Sequence, residues 1–137
     1  GMKKLNIMKS LIFLLLFIPL VSCDNAEVQS YYDSGEVRMT LNYVNGSEQG
    51  LQTFYYKSGK VNSTLNFING SAEGDHTIYY ESGEVESTAL FINDKVVGLV
   101  KHYYKSGELK TTQKYVNGIS EGKAKHYYKS GECYQGC

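Results

Sequence analysis

The sequence predicts an all-β protein, an elongated antiparallel β-meander built from 24-residue hairpin repeats. Three observations lead there. A phrase of the form YYxSG recurs five times, with its first tyrosines at Tyr31, Tyr55, Tyr79, Tyr103 and Tyr127, a period of 24 without slippage. A second punctuation, Asn45-Gly46, Asn69-Gly70, Asn93-Asp94 and Asn117-Gly118, falls between those phrases. The stretches between the two signals alternate apolar and polar with period two, as half-buried strands do.

The segment before the first repeat reads differently. Lys3, Lys4 and Lys9 precede an apolar run from Leu11 to Val21, and Leu20-Val21-Ser22-Cys23 ends it. This is the three-part layout of a secretory signal peptide, over residues 1–22, with Gly1 before Met2 resembling a cloning scar. The apolar run is too short for a confident membrane span, which needs about 20 residues. Leu20–Cys23 also looks like a bacterial lipobox, in which Cys23 is lipidated; the alternative is an ordinary signal followed by a chance cysteine. Residues 23–27 then form the lipidated cysteine and a short tether, and 28–137 the repeat domain.

Composition excludes several function classes. The whole chain balances 14 basic against 14 acidic residues, but without the three leader lysines the remainder carries a net charge of −3. Its charges are partitioned: residues 24–94 hold 11 acids and 3 bases, and residues 95–137 hold 3 acids and 8 bases. That asymmetry argues against a nucleic-acid binder, which would show one basic footprint. It permits head-to-tail self-association or a bipolar partner; drift between repeats is the bland alternative.

Within each repeat the first turn, as in Lys57-Ser58-Gly59-Lys60, uses glycine for a positive φ, and Asn-Gly is the strongest short hairpin signal. With residues 57–60 as the loop, Tyr56 faces Val61, Phe54 faces Ser63, and Gln52 faces Leu65. Gly50 then lies opposite Phe67, Gly74 opposite Phe91 and Gly98 opposite Tyr115, which would let each ring rest over bare backbone. Val61, Ser63, Leu65 and Phe67 share one face; Thr40, Thr64, Thr88 and Thr112 repeat on the other. Nine or ten such strands make a sheet about 45 Å wide at ~4.8 Å per strand. Its apolar face must curl, stack on a copy or bind something else.

The repeat G-x-x-x-x-Y-Y-x-S-G-x-(V/L)…(F/Y)-(I/V)-N-G resembles the MORN-repeat variant, of the type found in YwqK-like antitoxin proteins of toxin–antitoxin modules. The resemblance runs from Val28 to about Glu132. It implies an elongated sheet of hairpins used for protein binding or scaffolding, with lipid contact proposed for some relatives. A lipoprotein signal departs from a cytoplasmic antitoxin, and an envelope-anchored immunity protein would reconcile the two.

Candidate chemistry is sparse. His102 and His126 occupy the same repeat position but lie two strands apart, roughly 9–10 Å, too far to share a metal ion bound at about 2 Å. Glu36, Glu84, Glu108 and Glu132 read as turn residues. No phosphate cradle, catalytic triad or cofactor motif can be assembled, so no enzyme and no cofactor or metal is expected. Cys133 and Cys137 form either a terminal disulfide or a pair of free thiols, the disulfide being favoured in an extracytoplasmic setting. The second tyrosines, Tyr32, Tyr56, Tyr80, Tyr104 and Tyr128, read as core. The first tyrosines, Tyr31, Tyr55, Tyr79, Tyr103 and Tyr127, point to the polar face as a ring-bearing stripe suited to a protein partner. The functional expectation is a non-catalytic, membrane-tethered binding module or scaffold in the bacterial envelope, extracytoplasmic and anchored by lipid. The alternatives are an immunity or antitoxin protein neutralising a toxin, and a self-assembling envelope component, a homo-oligomer.

Overall fold

The computed structural model describes residues 3–6 and 25–137, and it is all strand and turn. The elements are β1 (Lys3–Asn6), β2 (Asn25–Tyr31), β3 (Val37–Val44), β4 (Ser47–Glu48), β5 (Gly50–Tyr55), β6 (Val61–Ile68), β7 (Ser71–Tyr79), β8 (Val85–Ile92), β9 (Lys95–Tyr103), β10 (Leu109–Val116), β11 (Ile119–Tyr127) and β12 (Cys133–Gln135). They form one open sheet in chain order, with β4 pairing β3 beside the main path. From β2 to β12 every pairing is antiparallel; β1 alone lies parallel, against β2. The meander expected from the repeat is the fold observed. Its first hairpin strand begins at Asn25, inside the stretch expected to be tether, so only Asp24 separates Cys23 from the sheet.

Each turn is built as its residues require. At the Asn-Gly turns both central residues take positive φ, for example Asn69 at 50° and Gly70 at 81°, which is the type I′ geometry of a two-residue hairpin loop. In the third unit Asp94 holds the second position at φ 64°. Its carboxylate accepts the Ser71 hydroxyl at 2.7 Å and the Ala72 amide at 2.7 Å, which offsets the left-handed backbone.

The Ser-Gly turn is one residue tighter than expected. Tyr56 N donates to Lys60 O at 2.8 Å and Gly59 N to Tyr56 O at 2.9 Å, with Gly59 at φ 82°. This is a three-residue loop closed by a glycine bulge. It shifts the register beside the turn, so Val61 pairs with Tyr55 and not with Tyr56. Beyond the bulge the expected pairings hold: Phe54 with Ser63, Gln52 with Leu65, Gly50 with Phe67, Gly74 with Phe91, and Gly98 with Tyr115.

Those strand glycines, however, are not there to make room for a ring. A Cβ added at Gly50 or Gly98 would meet no atom within 4 Å, and at Gly74 only the Asn66 Cβ at 4.0 Å. What they supply is backbone: Gly74 sits at φ 93° and Gly98 at φ 74°, each where the ladder to the preceding strand slips. Gly98→Ala is therefore expected to cost about 1–2 kcal/mol of strain, seen as a lower urea midpoint with an unchanged slope.

Register defines two faces. Gln29, Thr40, Thr53, Thr64, Thr77, Thr88, Lys101, Thr112 and Lys125 are successive cross-strand partners from β2 to β11, an unbroken row along what we call the threonine face. The opposite, aromatic face carries Met39, Phe54, Leu65, Phe67, Ile78 and Phe91 in the first three units. The row that holds Met39, Phe54 and Ile78 turns polar further on, with His102, Thr111 and His126 as successive partners. No second layer of described residues covers either face. Among the described residues the only buried hydrophobic side chain is a small one, Ala72, and the one fully buried large side chain is an amide, Gln52.

Candidate functional site: the threonine face and its two rims

The first and second tyrosines of each repeat divide their tasks. The hairpin-to-hairpin ladder between β6 and β7 ends at Ser63 and Ile78. Past that point the Tyr56 hydroxyl crosses the gap and donates to the Tyr79 carbonyl at 2.6 Å. Tyr32 does the same to Tyr55 at 2.7 Å, Tyr80 to Tyr103 at 2.7 Å, and Tyr104 to Tyr127 at 2.8 Å. The second tyrosines, read from sequence as plain core, are half-buried clasps: their rings pack inward and their hydroxyls tie each unit to the next. Their outer faces carry cations from the following turn, Lys57 at 5.7 Å from the Tyr32 centroid and Lys105 at 5.7 Å from that of Tyr80; Lys110 and Lys129 flank Tyr104 at 5.7 and 5.5 Å. Tyr128 is 53% exposed. It stacks on Tyr134 at 4.4 Å, beside the disulfide that joins Cys133 to Cys137 across a Cα separation of 6.1 Å.

The first tyrosines line the Ser-Gly rim of the threonine face, yet they do not make a purely tyrosine stripe. Tyr31, Tyr55, Tyr79, Tyr103 and Tyr127 pair with Val37, Val61, Val85, Leu109 and Cys133. The rim is thus mixed ring and aliphatic, and the rings are half-buried.

The opposite, Asn-Gly rim of the same face was not singled out from sequence. Leu51, Ile68, Leu90, Ile92, Leu99, Val116 and Ile119 gather there, with Leu51 and Leu99 each 52% exposed and Ile119 72% exposed. Of the exposed large apolar residues among those described, only Tyr128 and Tyr134 lack a register partner on the threonine face. The signal was present: the position before each turn asparagine is Val44, Ile68, Ile92 and Val116 in turn. Its parity places it with the threonines.

Several other polar groups are held by their immediate surroundings. In Ser-Gly turns the carboxyls of Glu36, Glu84 and Glu108 are held below their ordinary value of 4.5, first by hydrogen bonds from Ser34, Ser82 and Ser106 and then by their own amides, with lysines of neighbouring turns adding to the effect. Asp94 is held down by Ser71 and the Ala72 amide. His76, edge-on to Phe91 at 5.8 Å, is lowered from 6.5 by burial. Both kinds of shift have one sign: the folded state binds fewer protons than the unfolded chain, so acid destabilises it. Stability is expected to decline as pH falls through about 6.5, from His76, and again below about 4.5, from the carboxyls. Replacing His76 with Gln, the residue at the equivalent position 52, should remove the upper limb alone in a pH series of urea midpoints.

A cleft of about 170 Å³ lies among Tyr80, Glu86, His102, Tyr103, Lys110 and Thr111. His102 and His126 are separated by Thr111 on the intervening strand, as their repeat spacing implied. Among the described residues no group of three or more His, Cys, Asp or Glu is placed to hold a metal ion. Cys23 and the apolar run expected to be a signal peptide lie outside the described residues, and no described helix is long and apolar enough to cross a membrane.

The molecule is thus a hairpin-repeat sheet with clasped units and one face rimmed by exposed apolar residues. The MORN repeat variant model matches it four times, over residues 24–45, 48–69, 72–93 and 96–117, and the chain belongs to that family. Each matched stretch is one hairpin ending at its turn asparagine, so the family unit and the structural unit coincide. No curated protein matches the chain.

Proposed function

We propose that the chain is a non-catalytic protein-binding module, held at an extracytoplasmic membrane surface through lipid on Cys23, that docks its partner on the threonine face. The observation that carries this reading is the gathering of exposed aliphatic side chains on one face, at both rims of a hydroxyl-lined floor. Large exposed apolar patches rimmed by polar groups are where soluble proteins meet partners. Tyrosines along one rim suit such a surface. The YwqK-like resemblance supports a toxin as the partner, in an immunity role exercised at the envelope.

The tether supports close apposition to the bilayer. With Asp24 alone between Cys23 and β2, the sheet edge stands within roughly 7 Å of the lipidated residue. Cleavage before Cys23 would also remove β1 and leave β2 as the sheet's outer strand. Fractionation of cells tests the anchoring: Cys23→Ala is expected to move the protein from the membrane to the soluble fraction, and an unchanged distribution would refute it. Docking is tested by affinity capture with Leu99→Asp combined with Ile119→Asp. Both side chains are exposed, so loss of the captured protein with folding intact is expected, and undiminished capture would place the docking surface elsewhere.

A further inference from the structure

We infer that the Cys133–Cys137 disulfide is a redox-sensitive stop on the sheet. Oxidised, it bends the chain off the ladder at Gly136; reduced, it lets residues 136–137 join β12 and extend the pairing with β11. The device is independent of which face binds a partner.

Five hairpins begin their ladders alike, and in four of them the pairing runs on. Tyr31–Val37 is followed by Ser30–Met39, Gln29–Thr40 and Val28–Leu41. The same four steps recur from Tyr55–Val61 to Gln52–Leu65, from Tyr79–Val85 to His76–Ala89, and from Tyr103–Leu109 to Val100–Gln113. The fifth hairpin makes the first two, Tyr127–Cys133 and His126–Gln135, and stops. A continued ladder would set Gly136 opposite Lys125 and Cys137 opposite Ala124.

The bond and that continuation exclude each other. Residues four apart in a strand are separated by about 13 Å, whereas a disulfide needs Cα atoms within about 7 Å. Here they stand 6.1 Å apart. The faces disagree as well. Cys133 pairs with Tyr127 on the tyrosine rim of the threonine face, but position 137 of a continued strand falls with Leu41, Leu65, Ala89 and Gln113 on the aromatic face.

Gly136 makes both states accessible. In the four longer ladders its place is taken by Thr40, Thr64, Thr88 and Thr112, none of them at positive φ. Gly136 sits at φ 77°, and a Cβ there would collide with the carbonyl group of Ala124. A side chain at this position therefore forbids the hook, while a strand tolerates glycine at a modest entropic cost. Cys133, Gly136 and Cys137 depart from the repeat together, and the hook needs all three. With the hook closed, β12 is three residues long; opened, it becomes a five-residue strand with a straight outer edge, the form that accepts a further strand.

The reductant is a dithiol, and Cys137 is exposed to it. Its thiolate attacks the Cys137 sulfur, the S–S bond breaks, and its electron pair leaves on the Cys133 sulfur, which takes up a proton. The second thiol of the reductant then closes on the mixed disulfide, releasing Cys137 as a thiol and the reductant as a cyclic disulfide.

The test reads backbone amide exchange by NMR on the purified full chain in mild detergent, with and without dithiothreitol. Reduction is expected to slow exchange several-fold at whichever of Ala124 and Lys125 turns its amide towards β12, with the β5–β6 hairpin unchanged. Faster exchange there is the result for a plain staple whose loss frays the strand, and it would overturn the inference, as would no change. Cys133→Ser with Cys137→Ser should reproduce the reduced pattern without reductant, which separates the effect from thiol chemistry at Cys23; the oxidised pattern in that variant would overturn it too. Gly136→Thr should let the bond be reduced at a dithiothreitol concentration about tenfold lower than in the wild type, since a β-branched residue disfavours the left-handed hook. An unshifted midpoint would show that the bond does not compete with the ladder.

Discussion

Gln52→Leu is expected to lower the unfolding free energy by about 2–4 kcal/mol, the largest effect of any single apolar-for-polar exchange in the sheet. Leucine is close to glutamine in volume and more apolar, so burial alone would favour it. The amide, however, occupies a gap in the backbone ladder. β3 and β5 are paired only at Met39–Phe54 and Thr40–Thr53. Beyond those pairs the Gln52 side chain, 0% exposed, takes the Asn42 amide on its Oε1 at 2.6 Å and donates its Nε2 to the Asn42 carbonyl at 3.1 Å. Leucine leaves that amide without its acceptor, and each buried polar group stranded costs about 1–3 kcal/mol. Denaturant unfolding checks it; a Gln52→Leu variant as stable as wild type would mean that water or a backbone shift satisfies Asn42.

Tyr80→Ala should cost about 3 kcal/mol, and Tyr80→Phe about 1 kcal/mol, the difference separating ring from hydroxyl. Truncating a packed aromatic to alanine costs about 3–5 kcal/mol in a full core, and a half-buried ring belongs at the lower end. The phenylalanine variant keeps the ring over β9 and removes only the 2.7 Å bond to the Tyr103 carbonyl, a net of roughly 1 kcal/mol. Because units contact only their neighbours, the damage should be local. Hydrogen exchange should quicken at the β8–β9 junction and leave the β5–β6 hairpin protected. Loss spread evenly over the sheet would show that the clasps do not act unit by unit.

What could be read from sequence divides by the range of the signal. Asn69-Gly70 and Ser58-Gly59 dictate backbone shape within four residues, and from them the strand pairing of Gln52 with Leu65 and Gly74 with Phe91 follows by counting. The bulge that sets Val61 against Tyr55 does not follow by counting, because a glycine at the end of a loop leaves its closing pair open by one residue. The same limit misassigned the role of Gly74 and Gly98: a fixed glycine opposite a ring satisfies either a close approach or a left-handed φ, and only the backbone decides. The clasp hydroxyls bridge residues 23 apart on different hairpins, beyond the reach of pairwise strand logic. Gln52 was placed on the correct face, yet nothing in its own repeat marks it as a plug; its counterpart His76 has a direct partner, Leu65, on the preceding strand, where Gln52 has none. The exposed Asn-Gly rim was legible in the recurring Ile or Val before each turn asparagine, but a single aliphatic per repeat is a weaker mark than a tyrosine pair.

The central claim is that the threonine face, and not the aromatic face, meets the partner. A photo-crosslinking side chain placed at Thr77 or Leu99, and in parallel at Ile78 or Phe67, in cells bearing the full chain would decide it. Adducts identified by mass are expected from Thr77 and Leu99, with none from Ile78 and Phe67. Adducts confined to Ile78 and Phe67, or absent from all four positions, would contradict it.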